Sequence, residues 1–455
     1  MPLRKIPETN ASYYLIAFDE NGNERCEPDG SLLSATVAGL VGHPAEGITD
    51  VFFASHGWKG DVPAAIEQYD RWVGEMDRSP DHQVMMTARP GFKSIVVGLH
   101  WPSLPFGDEN IASGGGLLSG DNEVELEKEI NQYAASIGDT PTVRSAVRTI
   151  LETAQRDDGG YDTLPDEVRN AYDLILSEVF PDDLGGNLGA PPGADHGAWD
   201  PDAIYKDAKK AAAEEAGEGE SLLLGGGWLD KVKGFLVAPL QQISFWKMKD
   251  RARLIGESGG HALLRKLQSV AGDNTRFHLM GHSFGCIVVS ATIAGAPGGA
   301  PLVRPANSLF LVQGALSLWS YSPDIPCAPG ETGYFNRILK KNLVQGPIVT
   351  TRSKHDRAVG TLYPTAVKLA GQYVLGEEFP RYGGIGTFGA QGLGGRTADL
   401  VMLQTTEAYR FKKDWVYNID ASGVIKNGGG FSGAHSDIAH PAVAHAMWQA
   451  VLASA

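Results

Sequence analysis

The run Arg276–Ala291 constrains this 455-residue chain more than any other segment. Arg276-Phe277-His278-Leu279-Met280 reads as a strand, Gly281-His282-Ser283-Phe284-Gly285 follows without a spacer, and Cys286-Ile287-Val288-Val289-Ser290-Ala291 continues as an apolar helix. A strand that becomes a helix within five residues needs glycine where any other side chain would strike adjacent backbone. The pentapeptide alone means little in a chain with 57 glycines. Its flanks make it a strand–turn–helix unit with Ser283 at the apex.

The same texture extends over much of the chain. Tyr13–Phe18, Val51–Ala54, Ser94–Leu99, Phe277–Met280, Ser308–Val312, Ile348–Thr351 and Trp415–Ile419 read as short strands ended by turn residues. Between them, Val62, Ile66, Tyr69, Val73 and Met76 recur at helical spacing, as do Met248, Ala252, Ile255, Gly259, Leu263 and Leu267. Strands alternating with helices predict an α/β fold with a mainly parallel sheet covered on both faces. Tyr13–Cys26 has a second reading, a hairpin turning at Asn21-Gly22-Asn23. The glycine-rich stretch Gly383–Gly395 is expected to be a long mobile loop on the surface.

Charge marks a boundary in this pattern. The chain has 54 acidic and 39 basic residues, a net of −15, yet residues 101–230 alone hold 27 acidic and 8 basic ones. That block contains helical runs at Glu123–Ile137 and Val143–Gln155, separated by Gly/Pro-rich patches such as Gly114–Gly116 and Gly185–Gly193. It is expected to be an acidic, mostly helical insertion over residues 101–239, interrupting an α/β core made of 1–100 and 240–455. The apolar series Leu222–Phe245, hinged at Gly225–Gly227, reads first as a packing helix and second as a lid.

A net of −15 disfavours nucleic-acid and anionic-membrane partners, which depend on Lys/Arg meeting phosphate. No apolar run approaches the ~18 residues of a membrane span, and none follows the basic start Met1–Glu8 as in a signal peptide. The expectation is a cytoplasmic protein without an integral membrane segment. Cys26, Cys286 and Cys327 are too few and too scattered for a disulfide framework or a Cys-based zinc site, and free thiols are expected.

A serine hydroxyl needs a general base, and the base needs an orienting carboxylate. Downstream of Ser283, Gly346–Asp356 is a strand followed by a polar turn ending at Asp356; Asp324 is the runner-up acid. Gly433-Ala434-His435-Ser436-Asp437-Ile438 precedes a last helix opened by Pro441, which favours His435 as base over His440 and His445. His282 and His355 adjoin these residues and read as structural or as shaping the site. Developing oxyanion charge also needs donors: the N–H of Phe284, next to the serine, and the N–H of Trp58, with Gly57 as second choice, after the strand that ends in His56-Gly57.

Taken together, these elements resemble the α/β-hydrolase superfamily, and within it serine esterases and lipases. The resemblance covers roughly residues 1–100 and 240–455 and is most specific at His56-Gly57-Trp58, the Ser283 turn and Gly433–Ile438. It implies a Ser283/His435/Asp356 triad, an oxyanion hole at Trp58 and Phe284, and an acyl-enzyme mechanism with no cofactor and no metal, acting on a small-molecule or lipid-like ester. A peptidase, thioesterase or acyltransferase would use the same triad. A catalytically silent binding protein on the same fold is the alternative of another class. This chain departs from the commonest members in its early insertion and in the long segment 357–414 between Asp356 and the last strand.

Overall fold

The structure, a computed structural model, describes residues 3–58, 62–103, 123–156, 161–179, 200–216, 227–326, 329–356, 358, 379, 383–428 and 433–454. Gly114–Gly116, Gly185–Gly193, Leu222–Leu224, Gly225, Gly226 and Cys327 lie outside the described residues. The chain divides into two compact units, one holding residues 1–103 and 251–455, the other the described residues between 104 and 250.

The first unit is α/β. Its strands are β1 (Arg4–Lys5), β2 (Ser12–Ala17), β3 (Asp50–Ser55), β4 (Ser94–His100), β5 (Arg276–His282), β6 (Ser308–Val312), β7 (Ile348–Arg352), β8 (Thr397–Val401) and β9 (Val416–Asp420). They form one sheet in the order β1-β2-β4-β3-β5-β6-β7-β9-β8, parallel throughout except where β1 meets β2. Parallel neighbours need crossover connections, so helices come to cover both faces. The central strands accordingly read as apolar runs: β3 is buried at all six residues.

Helices α1 (Leu33–Gly42), α2 (Val62–Arg78) and α3 (Pro80–Ala88) flank β3 and β4 in sequence. Phe52, Met280, Phe310, Val349 and Tyr417 share a core with Tyr69, Trp72 and Met76 of α2 and with Val443, Met447 and Trp448.

In the second unit α4 (Glu123–Ile137), α5 (Pro141–Arg156), α6 (Asp166–Val179) and α7 (Pro201–Ala216) are followed by α8 (Gly227–Ile255). The expected helical character of the acidic segment is seen in all of them. Leu126, Ile130, Val147, Ile150, Val168, Tyr172 and Ile175 are buried, as are Phe235, Leu236, Leu240 and Ile243 of α8. Tyr172 donates to Leu236 O at 2.6 Å. By its internal contacts this unit extends to Asp250, inside α8.

The spacing of Met248, Ala252, Ile255, Gly259, Leu263 and Leu267 is realised by the end of α8, a π-helical turn at Gly256–Gly260 and α9 (His261–Val270). The wider turn lets glycine backbone cross α10 (Gly285–Ala294) closely: a Cβ on Gly256 would lie 2.4 Å from Val288 O. The rest of the first unit adds α11 (Asn336–Lys340), α12 (Ile385–Phe388) and α13 (Pro441–Ala453). In the described residues no helix is long and apolar enough to cross a membrane.

Two local expectations need correction. The alternative hairpin over Tyr13–Cys26 is reduced to a tight turn at its end, closed by the antiparallel bridge Phe18↔Glu24 and by Arg25 N–H donating to Ala17 O, while β1 pairs antiparallel with the start of β2. Gly383–Gly395 is not surface loop along its length. Gly383–Ala390 is buried, with α12 inside it, and the strand β8 follows at once.

Candidate active site

Because β2 to β9 run parallel, their C-terminal ends lie along one edge of the sheet, and loops from different strands can meet there. β5 delivers Ser283 to that edge. Its φ is +56°, a left-handed conformation that costs a non-glycine residue about 1–3 kcal/mol. The neighbours make this turn obligatory. A Cβ on Gly281 would lie 2.4 Å from Gly285 O, and one on Gly285 would lie 2.2 Å from Ser55 O. Ser283 N–H donates to Val312 O, and Ser283 O accepts from Cys286 N–H and Ala315 N–H. The serine therefore stands at the N-terminus of α10, where the helix dipole favours negative charge.

The turn after β7 delivers Asp356, whose side chain is fully buried. The segment after β9 delivers His435. The two loops are zipped together by the antiparallel bridge Asp356↔Gly433 and by Ala434 N–H donating to His355 O at 2.9 Å. His435 Nδ1 lies 2.8 Å from Asp356 Oδ2, and His435 Nε2 lies 2.7 Å from Ser283 Oγ. A carboxylate can only accept, so Nδ1 carries the proton and Nε2 presents its lone pair to the serine O–H. All three expected residues are brought together in that order.

The competing residues go elsewhere. Asp324 is exposed and accepts from Gly330 N–H. His440 contacts Asp437 at 2.8 Å; burial opposes charge on Asp437, but N–H groups of Asn427 and Lys426 and the His440 ring hold its carboxyl below the usual range. His445 is buried against Asp81 Oδ2 at 2.6 Å. His355 supports the base loop through its carbonyl alone in the bonds above.

The loop after β3 abuts the serine: a Cβ on Gly57 would lie 2.7 Å from Ser283 Cβ. Next to it, the Trp58 ring sits 5.8 Å from the Phe284 ring. His56 is a strut rather than a metal ligand. Its Nδ1 donates to Gly57 O at 2.7 Å, its Nε2 accepts Trp101 N–H, and its own N–H goes to the Tyr69 hydroxyl. Among the described residues no group of three or more His, Cys, Asp or Glu is gathered as a metal site would need.

Comparison with protein-family models, with curated proteins and with solved structures finds no match to this chain. The site is therefore read from its own geometry.

Two of its residues, Gln68 and Gln313, escape sequence reasoning. Gln68 of α2 donates to His282 Nδ1 at 2.8 Å, and His282 Nε2 then donates to His435 O at 2.9 Å, so the residue before the serine clamps the main chain of the base. Gln313 reaches Asp356 (2.8 Å). Its one sequence signal is its place directly after the apolar strand Ser308–Val312, at the C-terminal edge.

The same residue types also meet a second time, around His278 of β5. Asp50 Oδ1 lies 3.1 Å from His278 Nε2, and His278 Nδ1 lies 2.8 Å from Ser308 Oγ. Here Arg89 and Thr49 also engage the carboxylate, and Ser308 begins a strand instead of a helix. Burial drives the His278 ring toward its neutral form. What distinguishes the Ser283 set is the strained turn and the helix N-terminus, not the residue types.

Proposed function

We propose that this chain is a serine hydrolase of the α/β-hydrolase type that cleaves carboxylic esters through an acyl-enzyme on Ser283. One observation carries the reading: a serine at φ +56° between strand and helix, 2.7 Å from a histidine nitrogen whose other nitrogen is 2.8 Å from a buried aspartate. The chain order Ser, Asp, His and the placement of Gly57-Trp58 after the third strand agree with it.

In this mechanism His435 Nε2 removes the Ser283 proton as Oγ attacks the ester carbonyl. Asp356 holds the Nδ1–H tautomer and stabilises the imidazolium that forms. The N–H groups of Phe284 and Trp58 receive the oxyanion, each such donor being worth roughly 10²–10³ in rate. His435 then protonates the leaving alkoxide, and in the second half it activates water to release the acid. No step draws on a cofactor.

The test is hydrolysis of p-nitrophenyl esters from short to long acyl chains by wild type and Ser283→Ala side by side. Turnover lost in the variant supports the reading, and the chain-length profile sizes the acyl pocket. Equal turnover in both would sink the nucleophile assignment. No turnover on any ester would move the weight to peptide or thioester substrates, or to a binding protein.

A further inference from the structure

We propose that Gln313 is a positioning residue that holds the Asp356 carboxylate against His435. This inference rests on the hydrolase reading and concerns the same site. Gln313 Nε2 donates to Asp356 Oδ2 at 2.8 Å, the same oxygen that accepts from His435 Nδ1. Its second amide hydrogen goes to Gly386 O at 3.1 Å. On the other side, Thr351 Oγ1 accepts Gln313 N–H at 3.1 Å and donates its own proton to Gln313 Oε1 at 3.0 Å.

This set leaves one orientation for the amide. Rotated by 180°, Oε1 would face a carboxylate and a carbonyl, two acceptors, and both of those bonds would be lost. Gln313 is thus a fixed donor to the acid, wholly buried. Its backbone departs from the ordinary in the same direction as the serine: φ is +48°, and among the described residues Ser283 and Gln313 are two of only five non-glycine positions in the left-handed region. Backbone held in such a region needs surroundings that over-determine it. Here the surroundings are β7, through Thr351, and the Gly383–Gly389 segment, through Gly386. Gln313 adds a fixed donor on the very oxygen that faces His435, which narrows the directions open to the carboxylate.

The experiment follows the rate at which a fluorophosphonate probe labels Ser283 from pH 5 to 9, using the full chain as wild type, Ser283→Ala, Gln313→Glu, Gln313→Met and Thr351→Val. The probe needs an activated serine but no knowledge of the natural ester. Gln313→Met keeps the length without the donor, and Thr351→Val removes the anchor without touching the triad. Both are expected to slow labelling, by up to about 10²-fold for the Met variant, the scale of a misplaced catalytic group. Gln313→Glu puts a second carboxyl against Asp356 Oδ2. Once both are ionised the donor is gone, and the added negative charge favours imidazolium at His435, so the acid limb of the profile moves to higher pH and the plateau above it stays below wild type.

A role in folding alone would lower the melting temperature and leave the labelling rates of the folded Met and Val variants at the wild-type level. Wild-type labelling rates in the Met and Val variants, with an unmoved limb in the Glu variant, would overturn the proposal and leave the hydrolase reading standing. Failure of the wild type to label at Ser283 would overturn both.

Discussion

Replacing Gly285 by Ala separates the geometry of the serine turn from the stability of the fold. Gly285 is helical, so Ala meets no backbone strain; the conflict is purely one of approach. The new Cβ would lie 2.2 Å from Ser55 O and 2.6 Å from His56 O, both main-chain atoms at the buried end of β3. An ordinary carbon–oxygen contact is about 3.3 Å, so α10 must retreat from β3 by about 1 Å. Overpacking of this kind costs about 1–3 kcal/mol, offset by up to about 1 kcal/mol because Ala favours helix over Gly. For a unit of this size the net is a melting temperature lower by about 2–4 °C. The serine rides on the same turn, and a displacement of about 1 Å costs about 10²-fold in reaction rate. Fluorophosphonate labelling should therefore fall a hundredfold while the fold barely softens. Gly39→Ala is the control: Gly39 is an exposed glycine of α1 with nothing within 4 Å of its would-be Cβ, so labelling should not change. Labelling of Gly285→Ala within twofold of wild type would refute the reasoning, since strand and helix could then part without moving Ser283.

Other perturbations follow from the same structure. Asp356→Asn should cut labelling by about 10³–10⁴-fold, because an amide cannot hold the imidazole tautomer and stabilise imidazolium as the carboxylate does; a loss under tenfold would mean that Asp356 is not the orienting acid. Glu257, buried in the π turn, takes Arg253 at 2.6 Å, Arg337 at 2.7 Å and the Tyr334 hydroxyl at 2.5 Å, so Glu257→Gln should destabilise by about 3 kcal/mol in a urea titration of the first unit. The Asp50–His278 pair sets a pH dependence. Burial holds the folded pKa of His278 below the ordinary value of about 6.5, so the unfolded chain binds a proton that the folded chain refuses. That stability is complete above about pH 6.5 and is lost as pH falls through the folded value. Burial alone would raise Asp50, but His278, Thr49 and Arg89 hold its carboxyl below the usual range, so its share persists to about pH 4 and goes only in stronger acid. Melting temperatures of wild type and His278→Gln between pH 4.5 and 7.5 check this: identical slopes would rule His278 out as the source.

Much of the fold could be read along the chain because its signals are local. Ser308–Val312 is apolar from its second residue on, as suits a strand buried on both faces, and β6 has those bounds. β8 escaped because Thr-Ala-Asp-Leu-Val, at the sheet edge beyond β9, is half exposed and follows a glycine-rich run. Gly383–Ala390 was misread for a related reason. Glycine density marks loops in general, whereas here it marks close approach: Gly386 lies against the backbone of Gln313 and Gly389 against the side chain of Asn418.

The sequence by itself determined the pieces: a strand, a glycine-framed serine and a helix in immediate succession, an acid after a later strand, and a histidine before the last helix. Those depend on neighbours a few residues away. Which pieces meet was decided only in three dimensions, since His435 lies 79 residues from Asp356 and 152 from Ser283. The tertiary structure alone separates the Asp356–His435–Ser283 set from the enclosed Asp50–His278–Ser308 set and brings Gln313 and Gln68 to it. The reason is physical: a hydrogen bond depends on distances of a few ångströms and on the direction of donor and acceptor, and the parallel sheet sets both by carrying distant strand ends to one edge.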